Sequence, residues 1–141
     1  MIATDHAPHT MEEKMQSYFK APAGLPLVQH SLQILLEFNR TNQLSLEKIV
    51  RKSSHNPAVL FGIVDRGFIR EGYFADLVSI VLDKPQKITS ESLLYRCGWS
   101  PFEGESFGSS IHMTMLNGEV VFRNGWITDT PSGKPLDFRS R

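Results

Sequence analysis

The sequence predicts an α/β chain that is helical in its first part and β-rich in its second, and two textures carry that reading. Between Leu27 and Gly62 apolar residues recur at helical spacing, whereas "GFIREGYFADLVSIVL" (67–82) and "SIHMTMLNGEVVFRNGWIT" (110–128) are rich in β-branched and aromatic residues broken by glycines. With 141 residues the chain has the size of one ordinary domain or two small units, enough to bury a modest core.

Taken in order, Ile2 and Ala3 read as a strand stub, followed by a polar loop over about Thr4 to Lys20 and a Pro/Gly corner at "APAGLP" (21–26). The spacing then predicts a helix from Leu27 to Phe38, with Val28, Leu32, Leu35 and Leu36 on one stripe and Leu27, Ile34 and Phe38 beside it. Ser45 can cap a second helix through Lys52, with Leu46, Ile49 and Val50 on one face. In "NPAVLFG" (56–62), Asn56 reads as an N-cap, Pro57 as the first helical residue and Gly62 as a left-handed stop. Farther on, Asn117-Gly118 predicts a two-residue type I′ hairpin between "HMTM" and "EVVF", because both residues tolerate positive φ. "RCGWSPFEGESFG" (96–108) has the glycines, proline and aromatics of a packed loop, and a frayed tail is expected after Thr130.

Charge and cysteine content narrow the classes of function. Fifteen basic residues balance fifteen acidic ones without a run of one sign, which argues against a nucleic-acid face or an anionic membrane surface. No apolar run approaches the roughly 20 residues that span a bilayer. The single cysteine, Cys97, cannot form an internal disulfide, and "MIATDHAPHT" lacks the features of a secretory signal, so the cytoplasm is the expected compartment.

The stretch with most chemistry is "IATDHAPHT" (2–10). If Ile2 and Ala3 end a parallel strand, Asp5 sits at its carboxyl end, where α/β barrels collect catalytic side chains. A carboxylate there can ligate a divalent metal and also shuttle a proton from a metal-activated water. In an extended chain His6 points away from Asp5, whereas His9 lies beyond the rigid Ala7-Pro8 step and can donate to an anionic substrate. A metal triad of Asp5, His6 and His9 is the weaker reading, because Pro8 leaves little freedom for three ligands to converge. The plain alternative is a capping aspartate beside a solvated imidazole.

Together, "ATDHAPHTMEEK", "KAPAGLP", "NPAVLFGI", "RGFIREGYFADLV" and "CGWSPFEG" make the chain resemble the dihydroorotase family, among the cyclic amidohydrolases that include hydantoinases and allantoinases. The resemblance implies the last strand-helix unit of a (β/α)8 TIM barrel in residues 1–62 and the C-terminal part of a composite β-sandwich in residues 63–141. It implies hydrolysis or closure of a cyclic amide, with dihydroorotate and carbamoyl aspartate as the small-molecule partners, one or two zinc ions as cofactor, and a homodimeric complete protein. By the same resemblance Asp5 is the metal ligand and catalytic proton carrier. His9 binds the substrate carboxylate, and the backbone at Ala23 and Gly24 lies against the pyrimidine ring, although many relatives carry an aromatic residue where Ala23 stands. The family's remaining ligands, a His-x-His pair, a carboxylated lysine and two further histidines, are expected upstream, and the chain reads as a fragment inactive by itself. Its histidines are His6, His9, His30, His55 and His112, with no His-x-His. Two other readings stand beside this one: an allantoinase- or hydantoinase-like amidase, and a catalytically dead assembly module.

The remaining candidates read as structural. His30 belongs to a packed or surface helix face, His55 to the turn before Pro57, and His112 to a cross-strand pair. Cys97 reads as a small hydrophobe, and Asp76 as a hydrogen-bond acceptor for a turn.

Overall fold

The computed structural model of the chain describes residues 1–129 and 133–139. In chain order it holds α1 (Met11–Lys14), a 3₁₀ turn (Val28–His30), α2 (Ser31–Arg40), α3 (Leu46–Val50), a π-helical turn (Arg51–His55) and α4 (Asn56–Phe61). The strands follow: β1 (Leu77–Val81), β2 (Gln86–Lys87), β3 (Ser106–Phe107), β4 (Ser110–Leu116), β5 (Glu119–Arg123) and β6 (Trp126–Ile127), with a 3₁₀ turn at Ser90–Ser92. A four-stranded antiparallel sheet in the order β1-β4-β5-β6 lies beside the two-stranded ribbon β2-β3. The buried apolar set, Leu35, Leu36, Ile49, Ala58, Ile88 and Phe107, joins the helices to the ribbon and its loops.

The hairpin at Asn117-Gly118 forms as its chemistry predicts, with φ of 53° and 89° and Leu116 paired to Glu119. The same dipeptide at Asn124-Gly125, with φ of 50° and 93°, turns β5 into β6. Asp76 secures the first of these turns: its Oδ1 accepts the Asn117 N–H at 2.8 Å and its Oδ2 pairs with the Arg66 guanidinium. Arg66, which is buried, also donates to Asn117 Oδ1 at 2.6 Å and lies over the Phe74 ring.

Several local expectations are corrected. Asn56 is not an N-cap but a helical residue, at φ −64° and ψ −41°, because one helical run passes from Leu46 to Phe61. Ser45 starts that run, its side chain accepting from Lys48 N–H at 3.2 Å, and Gly62 ends it in the left-handed region at φ 64°. Pro57 inside the run has no N–H to donate and its ring crowds the preceding turn, which accounts for the widening into a π-helical turn at Arg51–His55. The helix predicted from Leu27 begins in α geometry only at Ser31 and continues to Arg40, leaving Val28 exposed. Ile2 and Ala3 form no strand: Ile2 N–H donates to Lys52 O at 3.0 Å, and the parallel pairing here is a single bridge, His6 to Leu25. A strand needs a neighbour for its ladder, and among the described residues no parallel neighbour extends beyond that bridge. The polar loop contains α1, opened by a capping box in which Glu13 N–H donates to Thr10 Oγ1 and Thr10 N–H to Glu13 Oε2. Of the tail, residues 130–132, 140 and 141 lie outside the described residues, whereas 137–139 are tied back rather than frayed. Val64 N–H donates to Asp137 O at 2.9 Å and Arg139 N–H to Gly62 O at 2.8 Å.

Candidate active-site loop

The loop from Asp5 to Thr10 is sewn to the Pro22–Val28 corner. His6 Nδ1 accepts the Leu27 N–H at 3.1 Å and the Val28 N–H at 3.3 Å, so an imidazole replaces the side-chain cap that the 3₁₀ turn lacks. Ala7 N–H donates to Leu25 O at 3.0 Å. Gly24, at φ +101°, leaves no room for a side chain: a Cβ there would stand 2.4 Å from Ala7 Cβ. Lys14, projecting from α1, donates to Pro22 O at 2.7 Å and to Gly24 O at 3.1 Å. Asp5 and His9 therefore lie on one segment and Ala23 and Gly24 on the segment beside it, so all four predicted site residues share one neighbourhood.

Their environments differ. Asp5 is exposed, holds a left-handed backbone at φ 49°, and its carboxylate meets no hydrogen-bonding side chain among the described residues. Aspartate tolerates that conformation better than most residues, and it turns the chain sharply before His6. His9 is held at three atoms: its N–H donates to Ala7 O at 3.0 Å, its carbonyl accepts the Trp99 indole N–H at 2.8 Å, and its Nδ1 stands 3.6 Å from Glu13 Oε2. The Thr10 backbone N–H, then the Thr10 hydroxyl and His9, hold the Glu13 carboxyl below its ordinary range, which keeps an anion beside the imidazole. Ala23 is exposed.

Sequence reasoning left out four supporting residues. His6 was set aside as pointing away from Asp5, yet it orders the corner. Lys14 reaches the Pro22–Gly24 corner from α1, and Tyr95 and Trp99 reach the loop from far along the chain, Tyr95 by placing its ring 5.5 Å from the His6 ring. Only α1 had a local signal, the Thr10-to-Glu13 spacing of a capping box.

Beneath the loop, His30 is 1% exposed and enclosed by Tyr95, Phe102 and Phe107, with ring centroids 5.8, 5.8 and 6.0 Å away. Its Nδ1 lies 3.4 Å from both Tyr95 Oη and Ser100 Oγ, and its Nε2 has no partner among the described residues. Burial holds the His30 imidazole below its ordinary pKa and pushes the Tyr95 hydroxyl up. The packing role expected for His30 holds. His55 stacks on Phe68 at 4.3 Å, and His112 Nδ1 lies 2.9 Å from Asn124 Oδ1. Cys97 is half-buried, its Sγ 3.8 Å from Trp99 O. Among the described residues no three His, Cys, Asp or Glu side chains converge as a metal site, and no helix is long and apolar enough to cross a membrane.

The amidohydrolase family model matches residues 1–121. The chain is 38% identical over 120 residues to the dihydroorotase of Methanosphaera stadtmanae, covering 85% of this chain and 28% of that protein. To the dihydroorotase of Halobacterium salinarum it is 39% identical over 132 residues, covering 94% of this chain and 30% of that protein. Among solved structures, a dihydropyrimidinase from Brevibacillus agri superposes with a TM-score of 0.77 at 27% identity, over 87% of this chain and 28% of that one. The chain thus spans about three tenths of the length of these relatives.

Proposed function

The chain belongs to the amidohydrolase family, and from that premise we propose that its residues form one wall of a dihydroorotase active site, where the cyclic amide of dihydroorotate is opened or carbamoyl aspartate is closed. The observation that carries this reading is the joining of Asp5, His9 and Gly24 on two adjoining segments, in a chain 38% and 39% identical to two dihydroorotases. Residues 1–62 are assigned to the end of a barrel and 63–141 to a β-sandwich shared with the rest of the protein. A cytoplasmic homodimer serving pyrimidine synthesis follows from the same reading.

Zinc takes about four ligands, and among the described residues Asp5 belongs to no cluster of three or more His, Cys, Asp or Glu groups. The donor set therefore suits one position of a zinc site whose other ligands come from elsewhere in the complete protein. When bound, one or two zinc ions would supply a water acidified toward neutrality and a polarised carbonyl. The exposed Asp5 carboxylate is free to take the proton of the attacking water and pass it to the departing ring nitrogen. His9 turns Nδ1 to Glu13 and, as an imidazolium with an N–H on each nitrogen, donates from Nε2 to the substrate carboxylate. The Ala23-Gly24 backbone, with no side chain beyond a methyl, leaves room for a planar ring.

The structural likeness to a dihydropyrimidinase favours one second reading, a cyclic amidase of the hydantoinase kind. The deciding experiment measures kcat/KM of the zinc-loaded complete protein on dihydroorotate, hydantoin and allantoin. Preference for dihydroorotate is expected. Preference for hydantoin or allantoin selects the second reading, and no turnover of any of them leaves an assembly module.

A further inference from the structure

We infer that Trp99 is a positioning residue for His9, so that its indole N–H, 90 positions away in the chain, sets the affinity for the substrate carboxylate. This deepens the reading of His9 given above and rests on it.

The other tethers of His9 are local: its N–H reaches Ala7 and its ring reaches Glu13, both within four residues. They hold the shape of the loop but not its place in the molecule. The hydrogen bond from Trp99 Nε1 to His9 O, at 2.8 Å, is the contact that ties His9 to a distant element. That element is itself anchored. The next residue, Ser100, is buried, with Oγ 3.4 Å from His30 Nδ1 and accepting the Phe102 N–H at 3.2 Å. Phe102 and Phe107 pack on each other at 5.4 Å and on the His30 ring. Gly108 N–H donates to Glu37 Oε1 at 2.5 Å and so fastens the segment to α2. Four residues before Trp99, Tyr95 accepts the Gln29 N–H at 3.0 Å and sets its ring, tilted, 5.5 Å from that of His6. The 95–108 segment is thus a fixed platform with two fingers on the loop, Tyr95 at His6 and Trp99 at His9.

A carbonyl clamp acts on the backbone and leaves the imidazole nitrogens of His9 free for their own partners. Its effect belongs in binding, because a displaced imidazole weakens the hold on the carboxylate alike in the ground and transition states.

The test is steady-state kinetics on the zinc-loaded complete enzyme. Trp99→Phe removes the N–H and keeps an aromatic ring. The loss of one such bond is expected to raise KM for dihydroorotate about three- to tenfold, with kcat changed by less than about twofold. Replacing the Trp99 indole with benzothiophene, which exchanges the N–H for sulfur at nearly constant shape, should give the same rise and decides the matter if Trp99→Phe does not fold. In the His9→Ala background, which raises KM by itself, neither Trp99 replacement should add to the effect. A rise with His9→Ala but none with the benzothiophene variant, or losses that multiply in the double variant, overturns the role of Trp99 alone. No rise with His9→Ala overturns the reading of His9 and the inference with it.

Discussion

Replacing Gly24 with alanine tests whether the loop from Asp5 to Thr10 is placed by close packing of two backbones. At φ +101° any L side chain is strained, at a cost of about 1–2 kcal/mol. The new Cβ would also stand 2.4 Å from Ala7 Cβ where ordinary contact begins at 3.4 Å, so the loop must retreat by the difference of 1.0 Å. Overpacking of that order costs about 1–3 kcal/mol. Gly24→Ala should therefore destabilise the loop by about 2–5 kcal/mol, and since each 1.4 kcal/mol is tenfold, hydrogen exchange at the Ala7 amide should quicken at least about 30-fold. That amide, bonded to Leu25 O at 3.0 Å, reports directly on opening of the seam. Ala7→Gly removes the colliding methyl, so in the Ala7→Gly background Gly24→Ala should cost only the backbone part, about 1–2 kcal/mol. An equal cost in both backgrounds would refute the packing account, and unchanged exchange in Gly24→Ala itself would refute both parts.

Three further outcomes are expected. Asp5→Asn in the complete enzyme should lower kcat by about 10²–10⁴ with an unaltered circular dichroism spectrum, because the carboxylate is exposed and bonds no side chain among the described residues; a near wild-type rate removes Asp5 from the chemistry. Asp76→Ala removes the carboxylate partner of the Arg66 guanidinium, 8% exposed, and leaves it with Asn117 Oδ1 beside the β4-β5 turn. The loss in urea-unfolding stability should be about 2–4 kcal/mol, below the full cost of a deeply buried pair because Asp76 is 28% exposed, and a loss under about 0.5 kcal/mol would contradict it. The last outcome concerns pH. Burial lowers the His30 pKa from 6.5, and Tyr95, Ser100, Phe102 and Phe107 around it bring no carboxylate to offset that. Its unfolded form then binds the proton more readily, so the stability it contributes is complete above pH 6.5 and is lost as pH falls through the lowered folded value. Urea midpoints measured from pH 8 to pH 5 should fall more steeply for the wild type than for His30→Phe; parallel curves would sink this assignment.

Features set by neighbours in sequence were legible before any fold was known. Asn117-Gly118 accepts positive φ wherever it stands, Ser45 needs only the N–H three residues on, and Gly62 only a helix to end. Asp76 was read as a turn acceptor, and it is one. The motifs around Asp5, His9, Ala23 and Gly24 also carried enough identity to place the chain among the amidohydrolases. Asn56 misled because Asn-Pro is a good helix start in isolation, and nothing local reveals that the preceding helix will run on by widening a turn.

What tertiary structure alone decided is how the loop is held. His6 caps a turn 21 residues away, Tyr95 and Trp99 arrive from about 90 residues away, and Gly24 matters because Ala7 Cβ occupies the space its own side chain would need. Such contacts join groups whose separation along the chain has no periodicity to betray it. Composition and spacing name the donors and acceptors, but only packing brings a particular indole to a particular carbonyl.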